Sequence, residues 1–283
     1  MALNKNRYTV LRYDPQKDIE LLVRDAKKID AALIILHGTG GEDGSIQGLL
    51  DLLKIPYQGS GILGSAVAIN KLLSKQLYKQ AGLDIPPYFS ICKDSADCAD
   101  EYSVNLGFPI FIKPVKGGSS IGMSFVKRKK ELKKALDKAF AHDNNIIMEK
   151  CIDGIEVTGS VIGNEILKAL PIVEIRPEKG YEFFDFNAKY TKSAAKEICP
   201  APINENLTVR AKECAKKAHM VLFCKGYSRT DMIIKKEKIY ILETNTIPGM
   251  TTNSLLPLAA KNSGISFSRL LDILIELSIK ERG

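Results

Sequence analysis

The stretch Arg229-Thr230-Asp231-Met232-Ile233-Ile234-Lys235-Lys236-Glu237-Lys238-Ile239-Tyr240-Ile241-Leu242-Glu243-Thr244-Asn245 constrains the fold more than any other. Two apolar runs flank a charged tetrapeptide, the pattern of a β-hairpin. A turn centred on Glu237 sets Asp231 opposite Glu243, with Cβ atoms about 4.5 to 5.5 Å apart. Asn245 falls on the same face, two residues beyond Glu243. Two carboxylates that close in an apolar sheet need positive charge between them. Two sources are open: Mg²⁺, which suits two carboxylates, an amide oxygen and the oxygens of a phosphate, or an ion pair from Arg229, on the Asp231 face. The inference depends on register, because a shift of the turn by half a residue breaks the pairing.

The chain around this hairpin reads as mixed α/β. Ala31-Ala32-Leu33-Ile34-Ile35-Leu36 is an apolar run of the kind that forms a strand buried on both faces. It ends at a glycine-rich turn, 37–44, and Ile46, Leu49, Leu50 and Leu53 then mark a helix. A helix is expected over 18–28, and another over 66–82, closed by Gly82. Strands are expected at 108–113, 121–126, 146–149 and 156–162. A helix over 207–224 carries Leu207, Ala211, Cys214, Ala218, Val221 and Leu222 on one face, with Gly226 as the residue that ends it. Boundaries near 60 and 153 divide the chain into 1–60, 61–152 and 153–283.

Composition narrows the function classes. No apolar run reaches the ~18 to 20 residues needed to span a bilayer, and Met1 to Arg7 has no apolar core of a leader. The six cysteines are scattered without a CxxC pair, and with three histidines a zinc site is not expected. Free thiols fit a reducing, cytoplasmic setting. The net charge of +8 collects in Lys127-Arg128-Lys129-Lys130-Glu131-Leu132-Lys133-Lys134-Ala135-Leu136-Asp137-Lys138. Leu132, Ala135, Leu136, Ala139 and Phe140 follow the helical stripe, so the lysines form a wet face. No nucleic-acid reader motif or stacking aromatic accompanies them.

Two further segments carry candidate chemistry. Lys113-Pro114-Val115-Lys116-Gly117-Gly118-Ser119-Ser120-Ile121-Gly122 joins two expected strands. Its glycines free backbone N–H groups and its lysines offset phosphate charge, so it reads either as a phosphate-covering flap or as a plain hairpin loop. Thr246-Ile247-Pro248-Gly249-Met250-Thr251-Thr252-Asn253-Ser254 follows the acidic hairpin. There the Gly249 N–H can meet an oxyanion, and a helix start near Ser254 can meet a carboxylate.

Together these residues resemble the D-alanine–D-alanine ligases of the ATP-grasp superfamily. The resemblance runs from about Ile29 to the C-terminus, through segments 37–48, 55–61, 113–122, 149–156, 188–190 and 243–251, in order. It implies an α+β ATP-grasp fold: a partial N-terminal parallel-sheet domain, then two subdomains with the nucleotide between them. It implies that Lys71, Lys113 and Lys189 contact ATP phosphates, that Glu149 meets adenine and that Glu156 meets ribose. Asp231, Glu243 and Asn245 correspond to the Mg²⁺ ligands, for which Mn²⁺ can substitute. Arg229 and the Gly249 N–H correspond to groups that stabilise the tetrahedral oxyanion. Ser119 and Tyr190 belong to a hydrogen-bonded Glu–Ser–Tyr set, His37 lies beside the first D-alanine, and Ser254 and Leu255 contact the second. The implied activity is ATP-dependent joining of two D-alanines for peptidoglycan synthesis, by a cytoplasmic homodimer without nucleic-acid or membrane partners.

One departure stands. The family begins with a strand, a glycine-serine loop bearing the Glu of that set, and a helix, before the segment matching Tyr8 onward. Asp14 and Glu20 lie in no such loop. A start placed too late and a chain lacking that unit are both open. So are two other readings, an inactive nucleotide-binding form and a ligase for another carboxylate and amine.

Overall fold

The structure, a computed structural model, describes residues 3–118, 120–177 and 195–282. In the first unit, helix α1 (Ile19–Asp25) runs into a short 3₁₀ turn, Ala26–Lys28, and α2 spans Ser45–Leu52. Leu22, Ile34, Ile46, Leu50, Ile55 and Tyr57 bury one another, and Ile247, from just beyond the acidic hairpin, joins them. The expected strand over 31–36 is not one. The segment is extended, but among the described residues its only ladder contact is a parallel bridge from Ala32 to Tyr57, and Ile35 is exposed. The physical reason is local. The Gln58 side chain accepts from the Ile34 N–H at 2.8 Å and donates to the Ile34 carbonyl at 2.9 Å, so a side-chain amide replaces a neighbouring strand.

The helix expected over 66–82 is two helices, α3 (Ile62–Ile69) and α4 (Lys71–Gln80). Asn70 separates them. Its backbone is extended (φ −89°, ψ 97°) and its side-chain oxygen accepts from the N–H groups of Leu72 and Leu73, an N-cap that starts a new helix. Next come β1 (Tyr88–Cys92), α5 (Ala99–Leu106), β2 (Ile110–Pro114), β3 (Ser124–Val126), α6 (Leu132–Phe140) and β4 (Asn145–Lys150). The four strands form an antiparallel sheet in the order β1-β4-β2-β3. Leu132, Ala135 and Ala139 of α6 pack on Ile110, Ile112, Val126, Ile146 and Met148. Lys133, Lys134 and Lys138 face outward and are exposed, as the stripe requires.

The last part holds β5 (Ile155–Ile162), β6 (Lys168–Ala169), β7 (Val173–Pro177), β8 (Ala195–Ile198), α7 (Glu205–Val221), β9 (Tyr227–Lys235), β10 (Lys238–Asn245), α8 (Leu255–Asn262) and α9 (Phe267–Arg282). Its sheet runs β10-β9-β5-β7-β8, with β6 also on β5, all antiparallel. One face is covered by α7 and by Ala68 and Tyr78 of α3 and α4, packed with Val157, Val161, Met232, Ile234, Ile239 and Ile241. At one end of the opposite face, α8 and α9 cover Ile162, Val173 and Tyr227. The end of α7 differs from expectation. The helix ends earlier, at Val221, so the left-handed residue that closes it is Phe223 (φ 55°); Gly226, also left-handed (φ 69°), lies beyond its end. Gly226 serves a close approach instead: a Cβ there would lie 2.9 Å from the Gly59 nitrogen.

The acidic hairpin turns between Lys236 and Glu237, not on Glu237. Lys235 pairs with Lys238 and Met232 with Ile241. Continued unbroken, that register would put Glu243 on the α7-facing side with Ile239 and Ile241. A β-bulge at Leu242 shifts it by one residue, so that Asp231 pairs with Glu243, Thr230 with Thr244 and Arg229 with Asn245. The expected acidic pair is therefore present, restored by the bulge.

Candidate active site

The two sheets enclose a cavity of about 420 Å³, within the range of small-ligand pockets. One wall is the four-stranded sheet and its loop, with Phe111, Lys113, Glu149, Gly118, Ser120 and Ile121. The other is the six-stranded sheet, with Glu156, Asp231, Ile233, Leu242 and Glu243. Lys71 lies at the junction, and its ammonium donates to the carbonyl of Gly117 in the glycine loop at 2.6 Å. Lys71, Lys75 and Tyr78 share one face of α4, spaced by four and three residues. Tyr78 donates to Thr244 Oγ1 at 2.8 Å, so this single helix face reaches the glycine loop, the four-stranded sheet and the acidic hairpin.

Glu149 is buried with a lysine on each carboxylate oxygen: Lys75 on Oε2, and Lys113 on Oε1 at 2.5 Å. Burial favours the neutral acid, but Lys113 and Lys75 outweigh it and hold the Glu149 pKa below the ordinary carboxylate value. The two lysines respond in opposite senses. Burial dominates at Lys75 and lowers its pKa against the pull of Glu149, whereas at Lys113 the Glu149 charge outweighs burial and raises it.

Across the cleft the strands β5, β9 and β10 lay side chains in rows. Thr158, Asp231 and Glu243 are in register, and so are Ser160, Arg229 and Asn245. The Arg229 guanidinium grips Asp231 with Nε to Oδ1 at 2.9 Å and a second nitrogen to Oδ2 at 2.8 Å. Asn245 Nδ2 donates to Asp231 Oδ2 at 3.4 Å. Burial works against the Arg229 charge, yet Asp231 and then Glu243 lift its pKa above the ordinary value. The arginine ion pair that the sequence left open is thus present. Among the described residues no three acids, histidines or cysteines cluster to hold a metal; the hairpin offers two acids and an amide.

Beside these rows a smaller space of about 30 Å³ is bounded by Glu42, Lys71, Gly118, Glu243 and Asn245. Glu42 accepts from the Gly38 N–H at 2.6 Å. Burial raises its pKa; the Gly38 N–H and His37 oppose the rise and Glu243 adds to it. His37 itself is exposed. Further along, Ser254 sits at the N-cap position of α8, its Oγ accepting from the Thr251 N–H at 3.0 Å. A Cβ at Gly249 would stand 2.9 Å from that Oγ, so only glycine brings its N–H there without displacing the serine.

A model of the D-ala D-ala ligase C-terminus matches residues 77–276, and one of the D-ala D-ala ligase N-terminus matches 4–60. The chain belongs to the D-alanine–D-alanine ligase family. The D-alanine–D-alanine ligase of Syntrophobacter fumaroxidans is 55% identical over 99% of this chain and 90% of that protein. The one from Desulfotalea psychrophila is 47% identical over 99% and 87%. The crystal structure of the Bacillus anthracis D-alanine–D-alanine ligase complexed with ATP superposes with a TM-score of 0.85 at 36% identity, covering 99% of this chain and 89% of that one. The ATP-grasp fold expected from the sequence is the fold of this family, and no helix among the described residues is long and apolar enough to cross a membrane.

Of the residues singled out from sequence, Lys71, Lys113, Glu149, Glu156, Asp231 and Glu243 line the large cavity together. Arg229 and Asn245 adjoin it through Asp231. His37 borders the smaller space through Glu42, and Gly249, Ser254 and the buried Leu255 form a group at the start of α8. Ser119, Lys189 and Tyr190 lie outside the described residues. Sequence reasoning missed Lys75 and Glu42. Lys75 was readable as the residue one turn beyond Lys71 on the same helix face, and Glu42 as the only acid in segment 37–48 besides Asp43.

Proposed function

We propose that this ligase joins two D-alanines at the expense of ATP, with the nucleotide in the large cavity. The observation that carries the reading is that Lys71 and Lys113 stand on one side of a single cavity and Asp231 and Glu243 on the other. Cations facing a row of hard oxygen donors suit a polyphosphate and its counter-ion. Lys71, Lys113 and Lys189 bind the phosphates, Glu149 the adenine and Glu156 the ribose. Asp231, Glu243 and Asn245 would hold Mg²⁺ or Mn²⁺. The donor set fits, because two carboxylates and an amide oxygen leave the remaining positions to phosphate and water. Bound there, the metal neutralises charge on the transferring phosphoryl group.

The carboxylate of the first D-alanine, beside His37, attacks the γ-phosphorus, and ADP leaves with the electron pair of the broken P–O bond. The amine of the second D-alanine, its carboxylate at Ser254 and Leu255, then attacks the acylphosphate carbonyl. Arg229 and the Gly249 N–H stabilise the oxyanion that forms. Collapse of that intermediate expels phosphate, and the amine proton is lost to leave the amide. Water competes for the acylphosphate, so the site must exclude it, and we give Ser119 and Tyr190 a part in that exclusion. We assign the three units to 1–60, 61–152 and 153–283, and place the protein in the cytoplasm as a homodimer serving peptidoglycan synthesis. Purified protein given ATP, Mg²⁺ and D-alanine releases phosphate and D-alanyl-D-alanine in equal amounts. Folded protein that releases neither refutes the proposal.

A further inference from the structure

Lys75 has no part in the reaction described above. Lys75 is 1% exposed and its ammonium is paired with Glu149 Oε2, while Lys113 holds Oε1. The three groups differ in where they face. Lys113 and Glu149 line the large cavity and Lys75 does not. The Lys113 side chain is 15% exposed, against 2% for those of Lys75 and Glu149. Lys75 is also fixed in place. Its helix starts at the Asn70 cap, Tyr78 one turn on is tied to Thr244, and the Lys75 ammonium lies 5.6 Å from the ring centroid of Tyr88.

Charge decides what this arrangement can do. Lys113 and Glu149 alone would be a closed, neutral pair, offering little to an anion. A third, rear charge leaves the group with one net positive charge toward the cavity. It also lets Lys113 turn away from Oε1 without stranding a buried carboxylate, which is among the costliest states of a protein interior. We infer that Lys75 is a positioning residue, a fixed counter-ion to Glu149 that releases Lys113 to bind the nucleotide's phosphates. This rests on the reading that the large cavity takes ATP and that Lys113 meets its phosphates.

The test compares ATP with adenosine, which fills the same cavity without phosphate charge. Equilibrium binding of each is measured calorimetrically, with Mg²⁺ and the full chain, for the unmodified protein, Lys75→Met, Lys75→Arg and the double variant Lys75→Met/Glu149→Gln. In Lys75→Met the net charge falls to zero, and ATP binding weakens by about tenfold or more while adenosine binding is unchanged. Lys75→Arg retains ATP affinity. The double variant, again with one net positive charge, recovers the ratio of ATP to adenosine affinity, in which any change at the Glu149 contact to adenine cancels. A merely structural lysine would weaken both ligands together; that result, unchanged ATP affinity in Lys75→Met, or a double variant that fails to recover the ratio of ATP to adenosine affinity, overturns the inference. Should Lys75→Met not fold, the double variant decides alone: a ratio of ATP to adenosine affinity near that of the unmodified protein is expected, and a ratio lowered about tenfold or more overturns it. Unmodified protein that binds no ATP overturns this inference and the proposed nucleotide site together.

Discussion

His219 sits inside the molecule, 1% exposed, on the face of α7 that packs against the six-stranded sheet. Its Nδ1 is 2.8 Å from Ser228 Oγ, and Nε2 is buried without a hydrogen-bond partner among the described residues. Burial, and then the nearby Lys225 charge, push its pKa down from 6.5 to about 4. The folded protein therefore resists a proton that the unfolded chain accepts readily. Above pH 6.5 the ring is neutral in both states and costs nothing; as the pH falls from 6.5 toward 4 the unfolded state gains protons first, so stability is lost across that window. At about 1.4 kcal/mol per pH unit, the gap between 6.5 and about 4 amounts to about 3 kcal/mol in all. Of this, about 2 kcal/mol falls between about pH 7 and about pH 5. His219→Gln keeps a polar group within reach of Ser228 and removes the titration. Urea unfolding at both pH values, with and without the substitution, isolates the histidine. The unmodified protein should lose about 2 kcal/mol more than the variant on going to the lower pH. Parallel losses would show that His219 is protonated in the fold, and the burial argument would fail.

Four further outcomes can be checked. Glu243→Gln keeps the shape of a side chain proposed to bind metal but removes its charge; Mg²⁺-dependent phosphate release should fall more than about 100-fold, beyond the loss of a supporting outer group, with circular dichroism unchanged. Deleting Leu242 removes the extra residue of the bulge and lets Glu243 follow Ile241 into the same pairing with Asp231, so Glu243 and Asn245 stay on the cleft face; the protein should fold and lose only the apolar cavity wall that Leu242 supplies, and a failure to fold would contradict the register. Gly249→Ala places a Cβ 2.9 Å from Ser254 Oγ, and dipeptide formation should fall roughly 10- to 100-fold through displacement of both groups. Asn70→Ala removes the cap of α4 and should cost about 1 kcal/mol, visible as a drop of about 2 to 4 °C in thermal unfolding.

Much of this fold and site was legible in the sequence, and the exceptions have specific causes. The strand before the glycine loop and the stripe of α6 were legible because burial fixes the pattern of apolar residues, whereas of the strand expected over 121–126 only Ser124–Val126 forms and Ile121 is exposed. The run 31–36 misled because an apolar run says that a segment is buried, not what pairs with it. Here Gln58, distant in the chain, takes both backbone groups of Ile34. The 66–82 helix misled because Asn70 lies within a continuous helical pattern, and an asparagine there reads equally well as a surface residue until its oxygen is seen on Leu72 and Leu73. Lys75 belongs with them. Spacing places Lys75 on the Lys71 face of the helix, but Lys79 shares that spacing, and burial of the middle lysine was not readable because its partner, Glu149, is supplied by a strand far along the chain.

The acidic hairpin shows how a correct pairing can be reached through an incomplete route. A turn centred on Glu237 pairs Asp231 with Glu243 directly; the real turn leaves them one residue out of step, and Leu242 makes up the difference. The sequence carries a trace of this, since Ile241 and Leu242 are adjacent apolar residues where strict alternation calls for one. Ile241 packs toward α7 while Leu242 lines the cavity beside Glu243. The bulge therefore does two things at once. It gives the cleft the apolar side chain of Leu242, and it absorbs that extra residue so that Glu243 and Asn245 stay out of the core while Thr244 turns in to meet Tyr78 and Thr230. Forcing Leu242 into the regular ladder would not weaken the acidic pair by degrees. It would set Leu242 against Asp231 and turn Glu243 and Asn245 to the core face, so the geometry proposed to hold the metal and the packing that supports it both depend on the strand bulging at this one position.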